Sequence, residues 1–237
     1  MEHALLIFTL ATASIGFIVW YWLSSSLRLP VRYQIMYDAN PPYVNRIFRR
    51  RVLGIFIYGL IPFYIIRHTK WIGKPTLADL NISFHIDQQV IIYTLAGVAL
   101  AVLISVLTSP THSSLEQYPE VRVRFWRPNI LIFSAIWWIL YLTAFEFFYR
   151  GLLFQSFRFA LENDVLAIAA TTALYCLLHY FKLNRVTIAS IFYSVLACWV
   201  VLKTGSLIPV IVTNIALTLS IEWLSILHHR EMYVRRT

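Results

Sequence analysis

Charged residues are scarce in this chain: they make up 13% of its 237 residues, against about 25% in an ordinary soluble domain. Acidic residues are the rarest part of that fraction, 11 against 20 Lys and Arg. Only two cysteines occur, Cys176 and Cys198, both inside apolar runs. That number gives no disulfide framework and no zinc-type spacing, and it does not report the redox compartment. No tract rich in Pro or Gly divides the chain, and no internal repeat or low-complexity segment is evident. The His-Glu-x-x-His pattern of zinc hydrolases is missing, as is the Gly-x-Ser-x-Gly elbow of serine hydrolases. With a single histidine inside the apolar runs, a metal centre with three protein ligands is not expected.

What is abundant is apolar surface. Hydrophobic residues reach 59% and aromatics 16%, with 8 Trp and 14 Tyr, the side chains that favour membrane–water interfaces. Seven apolar runs fall at about 4–23, 52–66, 90–109, 129–149, 165–181, 186–202 and 206–227. Most are near the roughly 17–25 residues that a bilayer core requires. The expected fold is therefore all-α, a polytopic transmembrane bundle of about seven spans. The second run is short and contains Pro62, which predicts a kink or partial insertion. The first begins at residue 4 without a basic stretch before it or a small-residue cleavage site after it, so it reads as an anchor.

The formal charge of +9 would fit nucleic acid if the cations lined one face. They sit instead between the apolar runs, which fits cytoplasmic flanks and anionic headgroups and makes a nucleic-acid partner unexpected. The segments 24–51, 110–128, 182–185 and the tail from 228 hold 14 of the 20 Lys and Arg. The positive-inside rule then places the N-terminus outside and the C-terminus in the cytoplasm. Within 24–51, Arg46, Arg49, Arg50 and Arg51 read as a topology signal in contact with lipid.

Ionisable groups at bilayer depth are costly and tend to face a bundle interior with a partner. Three occur within apolar runs: Glu146, Glu222 and His179, with Arg150 one turn after Glu146. Glu146 and Arg150 at i, i+4 share a helix face with Thr143 and stand within salt-bridge reach. A buried pair fixing helix packing is the plain reading; a functional site is the sharper one. Asn214, Thr218 and Glu222 at i, i+4, i+8 form a polar stripe, read either as interhelical hydrogen bonding or as the lining of a hydrated cavity. Tyr175 lies one turn before His179.

The stretch Phe145-Glu146-Phe147-Phe148-Tyr149-Arg150-Gly151 resembles the Glu-Glu-x-x-x-Arg-Gly motif of the CPBP family, the CAAX-type prenyl endopeptidases and bacteriocin-processing intramembrane proteases. Tyr175 to His179 is similar to its Phe-x-x-x-His motif, and Thr204-Gly205-Ser206-Leu207-Ile208-Pro209 to the lead-in of its third segment. The three occur in the family's order over roughly 129–227, leaving 1–128 as unassigned helices and loops and 228–237 as a basic tail.

The resemblance implies metal-independent peptide hydrolysis without a cofactor. In it the first motif Glu and the His activate water, and the third-motif His and Asn stabilise the oxyanion. On it the catalytic set is Glu146, His179, Asn214 and Arg150, with Thr218 and Glu222 as auxiliaries. The chain departs where the chemistry is concentrated: Phe145 replaces the first Glu, Asn214 the third-motif His, and Thr218 its partner Asn. Two functions follow. One is a multi-pass endopeptidase, expected in the cell membrane, acting on a membrane-associated protein or peptide with an altered site. The other is an inactive relative that serves as a scaffold or substrate-binding protein.

Overall fold

The computed structural model describes residues 2–26, 41–69, 76–78, 80, 82–115, 118–179, 184–229 and 232–234. It is an all-α bundle with almost no sheet. In chain order the elements are α1 (Glu2–Ser26), α2 (Pro41–Ile55), a π-helical segment π1 (Phe56–Leu60), α3 (Ile61–His68), α4 (Gln88–Thr108) and α5 (His112–Leu115). Strand β1 (Phe125–Trp126) precedes α6 (Pro128–Glu146), a second segment π2 (Phe147–Leu153) and α7 (Phe154–Leu161). The chain continues through α8 (Asp164–Leu177), α9 (Asn184–Thr204), α10 (Ile208–His228) and β2 (Tyr233–Val234). Each of the seven apolar runs contributes a helix, the fifth of them ending at Leu177. Among the described residues four stretches are long and apolar enough to cross a membrane: Ile47–His68, Gln88–Thr108, Pro128–Leu161 and Ile208–His228. The apolar helices His3–Val19, Asp164–Leu177 and Ile188–Thr204 are shorter.

Two boundaries differ from the sequence expectation. The second helix begins at Pro41 rather than at residue 52, so the arginine cluster is helical and not a loop; residues 27–40 lie outside the described ones. Proline at a first helical position gives up only an N–H that would have no partner there. Pro62 does not break this helix. It follows π1, whose wider turn accommodates a ring that would otherwise meet the carbonyl four residues back. The fourth run likewise continues past residue 149 through π2 into α7, giving one helical stretch of 34 residues.

Helix ends follow from side-chain chemistry. Asp87 caps α4 by accepting from Val90 N at 2.7 Å, and Asn163 caps α8 by accepting from Val165 N and Leu166 N, both at 3.0 Å. Gly205, at φ +62°, ends α9 in the left-handed region that costs a glycine little.

The π2 segment is the centre of the core: Phe148, Leu152, Leu153 and the adjoining Phe154 are fully buried. Tyr58 of π1 packs on Phe145, Phe148 and Tyr149, so the two π segments meet through aromatic rings. Gly54 lets α2 approach α6, since a Cβ there would overlap the Tyr141 ring. Antiparallel α6 and α10 cross the middle of the bundle, with α4 laid along α10.

At one end the segment before α6 meets the residues that follow α10. There β1 pairs in parallel with β2, Ser109 Oγ lies 3.4 Å from His228 Nδ1, and the His229 ring lies 3.2 Å from Tyr118 O. At the other end residues 82–87 lie across the α9–α10 turn. Leu207 N donates to Ser83 O at 2.9 Å and Ser206 Oγ to His85 O at 3.0 Å.

Candidate active site

Glu146 ends α6 and is completely buried. A carboxylate there needs compensation from neighbouring helices, and three groups supply it. Asn214 Nδ2 of α10 donates to Oε1 at 2.5 Å, and Tyr193 Oη of α9 donates to the same oxygen at 3.0 Å. Arg150 Nε stands 3.3 Å from Oε2 as an ion pair. The i, i+4 spacing read from the sequence thus produces the expected pair, even though the second residue falls in π2.

Arg150 is equally buried, and its other nitrogens find an aromatic surface instead of an acceptor. Its Cζ lies 4.1 Å from the centre of the Tyr175 ring and 5.4 Å from that of Tyr193. Among the described residues Nη1 and Nη2 make no hydrogen bond. A guanidinium over tyrosine faces in a dry environment gains cation–π attraction that partly replaces hydration. Thr143, expected beside the pair, bonds instead to the carbonyl of Ile139 in its own helix at 2.8 Å.

His179 joins this group indirectly. Helix α8 ends at Leu177, so the histidine lies in the turn beyond the helix, half-buried, with Nδ1 3.2 Å from Tyr175 O. Its ring stacks 4.9 Å from that of Tyr175, on whose ring Arg150 also packs. Glu146 makes no hydrogen bond to His179. Phe145 fills the position next to Glu146 with an apolar ring, 4.6 Å from Tyr149 and 5.7 Å from Tyr175.

The polar stripe on α10 divides. Asn214 reaches Glu146, Thr218 is buried, and Glu222 belongs to a second centre about two turns from the C-terminal end of α10. Eight residues of helix put Asn214 and Glu222 about 12 Å apart along the axis. Glu222 accepts from Ser134 Oγ at 2.7 Å and Trp138 Nε1 at 2.5 Å, and Arg51 Nη2 lies 3.7 Å from it. Arg51, fully buried, also donates to Glu120 at 2.8 Å and to Ser134, and lies 3.9 Å from the Trp138 ring centre. The structure therefore corrects the reading of this arginine as a lipid-facing topology signal: it is an internal tie between α2, α6, α10 and the segment before β1. Nor does Glu222 stand beside Glu146 or His179 as an auxiliary would.

Sequence reasoning brought out Glu146, Arg150 and Asn214, which the fold gathers, but not Tyr193, Ser134 or Trp138. Tyrosine and tryptophan are common at membrane interfaces, so nothing marked these two as internal donors. Among the described residues no three His, Cys, Asp or Glu side chains converge as a metal site would require.

Residues 126–219 match the family model described as type II CAAX prenyl endopeptidase Rce1-like. That segment is Rce1-like. It takes in Phe145, Glu146, Arg150, His179, Tyr193, Asn214 and Thr218, and it ends before Glu222. The match spans less than half of the chain, and it falls where the motifs resemble the CPBP family. No curated protein and no solved structure matches the chain. The Rce1-like segment and the four long apolar helices together mark an integral membrane protein.

Proposed function

We propose that this protein is a CAAX-protease-like, multi-pass membrane protein that holds a membrane-associated protein or peptide without hydrolysing it. The observation that carries this reading is the engagement of Glu146: Arg150, Tyr193 and Asn214 hold the carboxylate, and none of its hydrogen bonds goes to His179. A general base must reach the water it activates together with its catalytic partner, at hydrogen-bond distance or through one water. At the neighbouring position Phe145 has no group that accepts a proton. The Asn214 amide, the remaining candidate oxyanion donor, is turned toward Glu146. By the positive-inside rule the basic end of the bundle, with the C-terminus, faces the cytoplasm, and the cell membrane is the expected location.

One observation favours the alternative of a metal-independent endopeptidase. Glu146 Oε2 has no hydrogen bond among the described residues, and His179 stands one ring away across Tyr175. In that reading Glu146 serves as base once Arg150 swings aside.

Both readings meet one experiment: purified protein in liposomes, incubated with a library of prenylated and unprenylated peptides. The proposal expects no cleavage by wild type or by His179→Ala, and retention of bound peptide by both wild type and Glu146→Gln if the latter remains folded. Turnover by wild type that His179→Ala abolishes would overturn it and establish the protease. Cleavage gained by the double change Phe145→Glu, Asn214→His would identify the missing groups as the cause of inactivity.

A further inference from the structure

The three adjacent arginines in the second half of α2 are split by the fold. Arg50 pairs with Glu120, and Arg51 pairs with Glu120 and Glu222, so two cations are spent internally against two carboxylates. Arg49 is exposed and forms no ion pair among the described residues. It borders an open groove of about 400 Å³ lined by Asn45, Phe48, Arg49, Val52, Leu53 and Phe56.

The spacing of those residues, three or four apart, makes them one face of α2 running into π1. Polarity changes along that face. Asn45 and Arg49 lie at its N-terminal end; Val52, Leu53 and Phe56 continue it for about two further turns. The apolar stretch long enough to cross a bilayer starts at Ile47, so the polar part of the groove stands at headgroup level and the rest at acyl depth. Arg51 ties α2 here to Glu120, in the segment that carries Arg122, Arg124 and Arg127, at the end that the positive-inside rule gives to the cytoplasmic leaflet and its anionic lipid.

We propose that the groove seats one anionic phospholipid, its phosphate on Arg49 and Asn45 and an acyl chain along Val52, Leu53 and Phe56. A free phosphate lacks the chain that the apolar two-thirds of the groove accommodates. A zwitterionic lipid places its own cation beside Arg49. An anionic lipid complements both parts.

The test is native mass spectrometry of the full-length protein released from micelles holding equal amounts of phosphatidylglycerol and phosphatidylcholine. Wild type is expected to retain one phosphatidylglycerol in preference to phosphatidylcholine. Arg49→Gln should lower that retention about five-fold, the order expected for one basic side chain near an anionic surface. Arg49→Lys should keep most of it, and Arg67→Gln, exposed at the other end of the same helix, should leave it unchanged. Phe56→Asn should weaken retention of both lipids together. Should Arg49→Gln lose folded yield, Asn45→Leu carries the same test from the other headgroup contact. Equal retention of the two lipids by wild type overturns the proposal. So does retention indifferent to Arg49→Gln, or a loss with Arg67→Gln as large as with Arg49→Gln.

Discussion

Removing the charge of Glu146 should cost the protein far more than removing the charges of Glu146 and Arg150 together. Both side chains are fully buried, and Arg150 has one ionic partner, at 3.3 Å. At an effective dielectric constant near 20, unit charges at such a distance attract by about 5 kcal/mol. Breaking a buried pair by deleting one partner costs about 3–5 kcal/mol, because the survivor is left without compensation. Glu146→Gln keeps the shape and the Asn214 contact but leaves the guanidinium with only the Tyr175 and Tyr193 faces. Its expected destabilisation is about 3–4 kcal/mol. Arg150→Met should cost a similar amount, since the Glu146 carboxylate keeps only two neutral donors. The double variant should recover more than half of the summed loss, as replacement of buried ion pairs by apolar groups of like volume often does. Equilibrium unfolding in mixed detergent micelles, followed by circular dichroism, measures all four corners of the cycle. Additive losses in the double variant would refute the view that the two charges compensate each other.

Four further outcomes follow from the structure. Tyr193→Phe removes one donor to an ionised carboxylate and should cost about 1.5–3 kcal/mol, read by the same unfolding measurement, while Tyr175→Leu should act through Arg150 and lose its effect in Arg150→Met. Arg51→Met should destabilise by about 3–5 kcal/mol, and Glu222→Gln in the same chain should restore part of that loss, because Arg51 serves Glu222 across α2 and α10. Gly205→Ala should lower stability by about 1 kcal/mol through its positive φ alone, since the added Cβ would meet only His85 Cε1 at an ordinary 3.7 Å.

Much of the fold was legible because burial in lipid leaves a coarse signature: long apolar runs, each of which contributes a helix. The details that failed are those where tertiary contacts override local pattern. Arg49, Arg50 and Arg51 read as a loop because three adjacent cations disfavour a buried helix face; α2 accommodates them by aiming Arg51 at Glu120 and Glu222, carboxylates 69 and 171 positions away in sequence. The continuation of α6 through π2 was hidden because a π turn keeps the apolar content of its surroundings while shifting the register by one residue. In the candidate site, Glu146 and Arg150 announced themselves by local spacing. The assignment of Glu222 to a separate centre did not, because the stripe on α10 is continuous and only the antiparallel register with α6 divides it. Ser134 and Trp138 lie toward one end of α6 and Glu146 at the other, so α10 meets acceptor and donor sets at both levels.

That register also relates two of the three departures from the resembled motifs, at 145 and 214, to each other. Position 145 lies among Tyr58, Tyr141, Tyr149 and Tyr175, and phenylalanine adds a ring to this aromatic cluster. Asn214 supplies what Glu146 then needs, an amide N–H at 2.5 Å. A neutral histidine there would present one ring donor, with its orientation divided between Glu146 and any reacting group. With asparagine the donor is committed to the carboxylate, and the carboxylate is committed to Arg150. On the proposed non-hydrolytic reading, the residues at 145 and 214 act in the same direction, leaving Glu146 engaged in a polar tie between α6, α9 and α10. For that reason neither Phe145→Glu nor Asn214→His alone is expected to yield cleavage, and only their combination supplies both a second carboxylate and an imidazole beside Glu146.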